Sequence, residues 1–171
     1  QPDGSSGWST LTVDSEPFCG EWNSLRDVNG KPAISYHGES ALRYAYSTDP
    51  DGAGGWNYLT LDSVDANSGL YTSLAVVDGN AEAGGDYSLK YAYSDLPTGA
   101  SGWHTLTIDT GGRPGLYTSL GVINGVPVIS YNEFGSNELR VASTKRVDGT
   151  AGWYDITIDT DGGYVCGEWT S

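Results

Sequence analysis

The chain has no methionine and only two cysteines, two histidines and eight lysines and arginines among its 171 residues. It also lacks any apolar run near the roughly 18 residues that a membrane-spanning helix needs, so membrane insertion is not expected. No long stretch keeps apolar residues at helical spacing, which argues against a helical fold. Scarcity of cations against 22 Asp and Glu leaves a formal net charge of −14, and a nucleic-acid backbone would repel such a chain. Two histidines and two cysteines are too few and too scattered for a zinc site. Gln1 in place of an initiator methionine reads as a processed or trimmed start, for which removal of a secretory signal and a simple boundary are equal explanations.

What the chain does contain is 25 glycines, 12 tyrosines, 6 tryptophans and many Thr, Val and Ile residues, the composition of short strands joined by tight turns. The pair Gly-Trp recurs at 7–8, 55–56, 102–103 and 152–153, each time followed by an alternating strand that ends in Asp14, Asp62, Asp109 or Asp159. The tryptophans are 48, 47 and 50 residues apart, so one supersecondary unit has been copied. Each unit begins with an inner strand (Asn23 to Val28, Thr72 to Val77, Thr118 to Ile123) closed by Asn29-Gly30, Asp78-Gly79 or Asn124-Gly125. Such pairs favour a type I′ hairpin, which needs positive φ at both central residues. A second strand follows as Pro32 to Tyr36 and Pro127 to Tyr131, and a third as Leu42 to Ser47, Leu89 to Ser94 and Leu139 to Ser143. In the middle unit Ala81 to Asp86 breaks the alternation and reads either as a weak strand or as a loop.

Four antiparallel strands per repeat of about 48 residues is the pattern of a β-propeller blade; a stacked solenoid is the competing arrangement. The expected fold is therefore all-β: one propeller-like domain over 1–171, with repeats at about 23–62, 72–109 and 118–159 and partial units at 7–14 and 164–171. Each tryptophan is expected to pack between neighbouring blades. The loop Ser47-Thr48-Asp49-Pro50-Asp51-Gly52-Ala53-Gly54-Gly55-Trp56 resembles the Asp-box (BNR) turn of sialidase-like propellers, with looser copies around Asp95 and Gly99 and at Asp148-Gly149. In that family the turn is structural, so the resemblance implies a fold and no catalytic residue.

The segments at 19–24 and 166–171 are near copies, both containing Cys-Gly-Glu-Trp. Cys19 and Cys166 are expected to form a disulfide, within or between molecules, with two free thiols as the alternative; pairing implies an oxidising, extracellular setting. The unmatched terminal strands are expected to join subunits into an oligomer or filament through Trp8, Leu11, Val13, Tyr164, Val165 and Trp169. Trp22, Tyr71, Tyr117 and Trp169 share one repeat position and read as a packing layer or as glycan-stacking subsites. Arg43, Lys90 and Arg140 also share one position, beside tyrosines, and read as packing or cation–π contacts. His37 and His104 read as substitutions at exposed variable positions. Glu82 and Asp86 offer a carboxylate pair without further support.

No cofactor is expected, although Asp49, Asp51, Asp159 and Asp161 could supply oxygens to calcium. No nucleophile elbow, P-loop or dinucleotide fingerprint is present. These readings lead to a non-catalytic extracellular structural or assembly module whose partner is itself, with a lectin-like glycan-binding propeller as the alternative.

Overall fold

The computed structural model describes residues 6–63, 68–77, 80–84, 88–160 and 166, with the backbone alone for 80–84. Twelve strands lie among them: β1 Glu21–Val28, β2 Lys31–Gly38, β3 Ala41–Ser47, β4 Trp56–Asp62, β5 Ser73–Val77, β6 Asn80–Gly84, β7 Leu89–Ser94, β8 Trp103–Asp109, β9 Leu116–Ile123, β10 Val126–Glu133, β11 Glu138–Ser143 and β12 Tyr154–Asp159. They form three four-stranded sheets, β1 to β4, β5 to β8 and β9 to β12, each in sequential antiparallel order. The chain is an all-β, propeller-like array of three blades.

Local chemistry explains the hairpins. Asn29 and Gly30 have φ of 54° and 74°, and Asn124 and Gly125 have 53° and 80°. Both central residues of each turn are thus left-handed, as a type I′ turn demands. Asp78-Gly79 lies outside the described residues. The ambiguous middle segment is a strand: β6 pairs with β5 along its length and with β7 over Glu82 to Gly84.

The blades pack through repeated aromatic contacts. Tyr44 of the first blade lies 4.9 Å from Trp103 of the second, and Tyr91 lies 4.8 Å from Trp153 of the third. The indole nitrogens of Trp56, Trp103 and Trp153 donate to the carbonyls of Gly52, Gly99 and Gly149, four residues earlier. Those glycines have φ of 68°, 64° and 62°. At Gly99 a Cβ would also meet the Tyr44 ring at 2.7 Å, so left-handed backbone and close approach both require glycine. Near the inner strands, Ser24 accepts the Leu74 N–H at 3.1 Å and Ser73 accepts the Leu120 N–H at 3.0 Å. This explains the repeated Ser-Leu of the inner strands: the serine satisfies the next blade's backbone while the leucine fills the interface.

The two ends of the array differ from its interior. Leu25 is 56 % exposed, whereas its repeat equivalents Leu74 and Leu120 are buried. Ile123 is 57 % exposed, whereas Val28 and Val77 at the same position are buried. Residues 7–14, expected to form an outer strand, form none, and Trp8 is 82 % exposed. Strands β4, β8 and β12 each pair with the third strand of their own unit.

Candidate functional site

The feature that gathers sequence-predicted residues is a row of aromatic side chains. Trp22 and Tyr71 have ring centroids 5.3 Å apart, and Tyr71 and Tyr117 lie 4.6 Å apart. The fourth expected member, Trp169, lies outside the described residues. Trp22 is 41 % exposed, and both tyrosines are half-buried. The rings are tilted by 50° and 55°, so each packs on its neighbour and still meets solvent. The row is both a packing layer and a surface.

The backbone beneath the rings is strained. Trp22, Tyr71 and Tyr117 have φ of 47°, 56° and 52°. Left-handed backbone is uncommon for non-glycine residues and costs roughly 1–2 kcal/mol at each site. Two residues earlier stand Gly20, Gly69 and Gly115, with φ of 97°, 88° and 94°. The ladders shift register between Glu21 and Ser24 and across the Leu116 to Ser119 segment, so Trp22 and Tyr117 sit on bulges. A bulge re-aims a side chain out of the regular alternation, a device common beside functional sites. The sequence signal is Gly-x-aromatic at the start of each unit, legible as a repeat but silent about conformation.

A cavity of about 350 Å³ lies beside the first blade, lined by Val13, Asp14, Cys19, Gly20, Asn23 and Tyr36 among others. Gly20 and Asn23 flank Trp22 in sequence, so the cavity adjoins one end of the row. Its polar wall is a cluster around Asp14, whose carboxylate accepts from the Tyr36 hydroxyl at 2.7 Å, the Arg43 guanidinium at 2.9 Å and the Cys19 thiol at 3.3 Å. Burial alone would raise the Asp14 pKa; hydrogen bonds from the Glu16 N–H, Tyr36, Cys19 and Arg43 outweigh it and hold the carboxyl below its ordinary value. Burial and the adjacent Asp14 push the Cys19 thiol up to about 11.

The same arrangement recurs between blades. Asp62 meets Lys90 at 2.8 Å, and Asp109 meets Arg140 at 3.2 Å and the Tyr131 hydroxyl at 3.0 Å. Register shifts between Leu42 and Arg43, Leu89 and Lys90, and Leu139 and Arg140 place a bulge beside the terminal aspartate of each outer strand. The aspartates of the first two blades thereby face the next blade. The repeated cations are ion-pair partners first. Arg43 also makes a cation–π contact, 5.7 Å from the Tyr58 ring centroid. Asp14 fills this place for the first blade although residues 7–14 form no strand.

Other sites resolve as follows. His37 is 7 % exposed and not a surface substitution; its Nδ1 lies 2.8 Å from the Ser68 carbonyl oxygen. His104 is exposed, 2.8 Å from Asp95, and stacked on Tyr93. Cys19 and Cys166 are not bonded to each other within the chain: Cys19 is held by Asp14, and Cys166 through its backbone by Asn132 and Asn137 of the third blade. Of the residues expected to join subunits, Leu11 is exposed and Val13 lines the cavity, while Tyr164, Val165 and Trp169 lie outside the described residues. Asp51 accepts the Ala53 N–H, and no group of three metal-ligating side chains occurs among the described residues. The Glu82 side chain, Asp86 and Asp161 lie outside what is described.

No protein-family model and no curated protein matches the chain. Several solved structures resemble it, among them the following two. One is an engineered GH43 glycoside hydrolase displaying endo-xylanase and exo-arabinofuranosidase activity, 15 % identical, with a TM-score of 0.55 over 86 % of this chain and 31 % of that one. The other is an α-L-arabinofuranosidase from Lactobacillus brevis, 8 % identical, with a TM-score of 0.55 over 80 % of this chain and 53 % of that one. The chain thus spans about a third and about half of their lengths, and the likeness establishes the propeller fold. No Asp-box family evidence accompanies it. The expectation of a non-catalytic assembly module, and of no enzyme, is overturned by these comparisons: the matched folds are those of glycoside hydrolases.

Proposed function

We propose that this chain is a propeller of a carbohydrate-active protein of the glycoside-hydrolase kind, with Trp22, Tyr71 and Tyr117 as its saccharide-binding surface. The observation that carries this reading is the row itself: three contiguous aromatic rings, each held in left-handed backbone at one repeat position. Backbone strain repeated at three equivalent positions under bulky side chains favours a use for the rings themselves. Aromatic faces stack on the C–H faces of sugar rings, and the adjoining 350 Å³ cavity offers polar side chains to hydroxyl groups. The net charge of −14 favours neutral sugars over uronates or sialic acids.

Hydrolysis of a glycosidic bond needs two carboxyl groups flanking the bond. Asp14, Asp62 and Asp109 are committed to cations of the blades. Glu21, exposed beside Trp22 and opposite His37 in the β1–β2 ladder, is the carboxylate best placed to meet a sugar on the row.

Calorimetric titration with neutral xylo- and arabino-oligosaccharides, set against polygalacturonate, tests binding. We expect saturable binding to the neutral set and at least a tenfold loss in Trp22→Ala. Release of reducing ends from the same glycans, with Glu21→Gln as comparison, tests hydrolysis. No binding and no release across the set sinks the reading.

A further inference from the structure

We infer that His37 is a positioning residue for the aromatic row, fixing Tyr71 through the Ser68 carbonyl while bracing Trp22. The inference rests on the saccharide-surface reading for its functional consequence, but not for its geometry.

His37 stands at the end of β2 where the first two units meet. Its partner at 2.8 Å is a carbonyl oxygen, so Nδ1 carries the proton and donates. Ser68 begins the run Ser68-Gly69-Leu70-Tyr71, three residues before the ring. Gly69 is pinned as well: its φ is +88°, and a Cβ there would meet the Leu42 Cα at 2.7 Å and the Ala41 carbonyl oxygen at 2.8 Å. The start of the second unit is therefore held against β3 by close backbone packing and by one imidazole. That imidazole also contacts Trp22, edge-on with centroids 5.7 Å apart and planes at 71°. One buried side chain thus touches one ring of the row and fixes the backbone leading to the next.

The third blade repeats the device with a different residue. Asn132 pairs with Leu116 just past a bulge, as His37 pairs with Glu21. Its Nδ2 donates to the Cys166 carbonyl. Cys166 holds the place of Ser68 in the repeat, followed by Gly167 and, three residues on, the aromatic Trp169. A donor at this position aimed at this carbonyl therefore recurs in the first and third blades. An imidazole supplies the donor and adds a flat face for Trp22, which an amide does not.

The test compares His37→Asn, which restores the donor used in the third blade, with His37→Leu, which removes it. Two readouts are taken: the near-ultraviolet circular dichroism contributed by Trp22, isolated by subtracting Trp22→Phe in each background, and affinity for the oligosaccharide bound by the parent chain. We expect His37→Leu to lose the Trp22 band and about tenfold in affinity, the worth of one buried hydrogen bond. His37→Asn should keep affinity within about threefold. Should His37→Leu fail to fold, His37→Ser serves as the donor-shortened variant. An unchanged Trp22 band in the donor-deficient variant overturns the inference, as does an Asn variant no better than it. If the parent chain binds no saccharide, the spectroscopic arm alone decides His37, and only the functional reading falls.

Discussion

Tyr44 of the first blade is seated under Trp103 of the second, its ring 4.9 Å from the indole and its hydroxyl donating to the Thr98 carbonyl at 3.0 Å. Tyr44 is fully buried, so the pair forms the apolar and the polar part of one inter-blade joint. Removing the ring by Tyr44→Ala should destabilise the protein by about 3–5 kcal/mol, the range for large aromatics in cores. Tyr44→Phe, which deletes only the hydroxyl, should cost about 1–2 kcal/mol because Thr98 loses its donor. Urea unfolding of both variants at neutral pH measures the two contributions.

Glycine substitutions separate backbone strain from collision. Gly30 has φ of +74° and nothing within 4 Å of a Cβ, whereas Gly99 has φ of +64° and a Cβ there would strike the Tyr44 ring. Gly30→Ala should cost about 1 kcal/mol from left-handed strain alone. Gly99→Ala should cost at least about 1 kcal/mol more, since the tyrosine must move as well. Equal unfolding midpoints for the two would contradict the packing described.

Asp14 sets a pH dependence of known sign. Its carboxyl is held below the ordinary value in the folded chain, so its stabilising contribution is present above the unfolded carboxylate pKa of about 3.9 and fades as pH falls through the folded value. Asp14→Asn leaves the buried Arg43 short of a counter-charge and should cost about 3 kcal/mol at pH 7. The gap between parent and variant should hold from pH 5 to 8 and narrow below about pH 4. Chemical denaturation across that range supplies the curve.

Cys19 should be a sluggish thiol. With its pKa raised to about 11, by burial first and then by Asp14, little thiolate exists at pH 8. Alkylation followed by mass spectrometry should find Cys19 modified well below the rate of an unperturbed cysteine, and Asp14→Asn should accelerate it. A rate in the parent equal to that of free cysteine contradicts the thiol's placement.

Much of the fold was legible because repetition makes local signals mutually reinforcing. Gly-Trp marked every unit, and the structure places Trp56, Trp103 and Trp153 at equivalent positions in the three blades, while the Asn-Gly pairs close the first hairpin of the first and third blades. Long-range relations were not legible. That Asp62 and Asp109 meet Lys90 and Arg140 depends on a bulge in each outer strand, which no local residue pattern announces. His37 looked like a surface substitution because its partner, the Ser68 carbonyl, belongs to the next unit. Trp22, Tyr71 and Tyr117 were legible as a set, but not their left-handed backbone, since large side chains normally avoid it. Residues 7–14 matched the strand pattern fully and still form no strand, since amphipathic alternation alone does not make a ladder.

The uncovered leucine and isoleucine at opposite ends of the array bear on how the protein behaves in bulk. Two water-averse patches on one particle would attract those of other particles if nothing intervened, and mutual repulsion among anions is what intervenes. Concentrated electrolyte or mild acid weakens that repulsion without touching the blades. Cloudiness on salting or acidifying should therefore set in while the sheets are still intact.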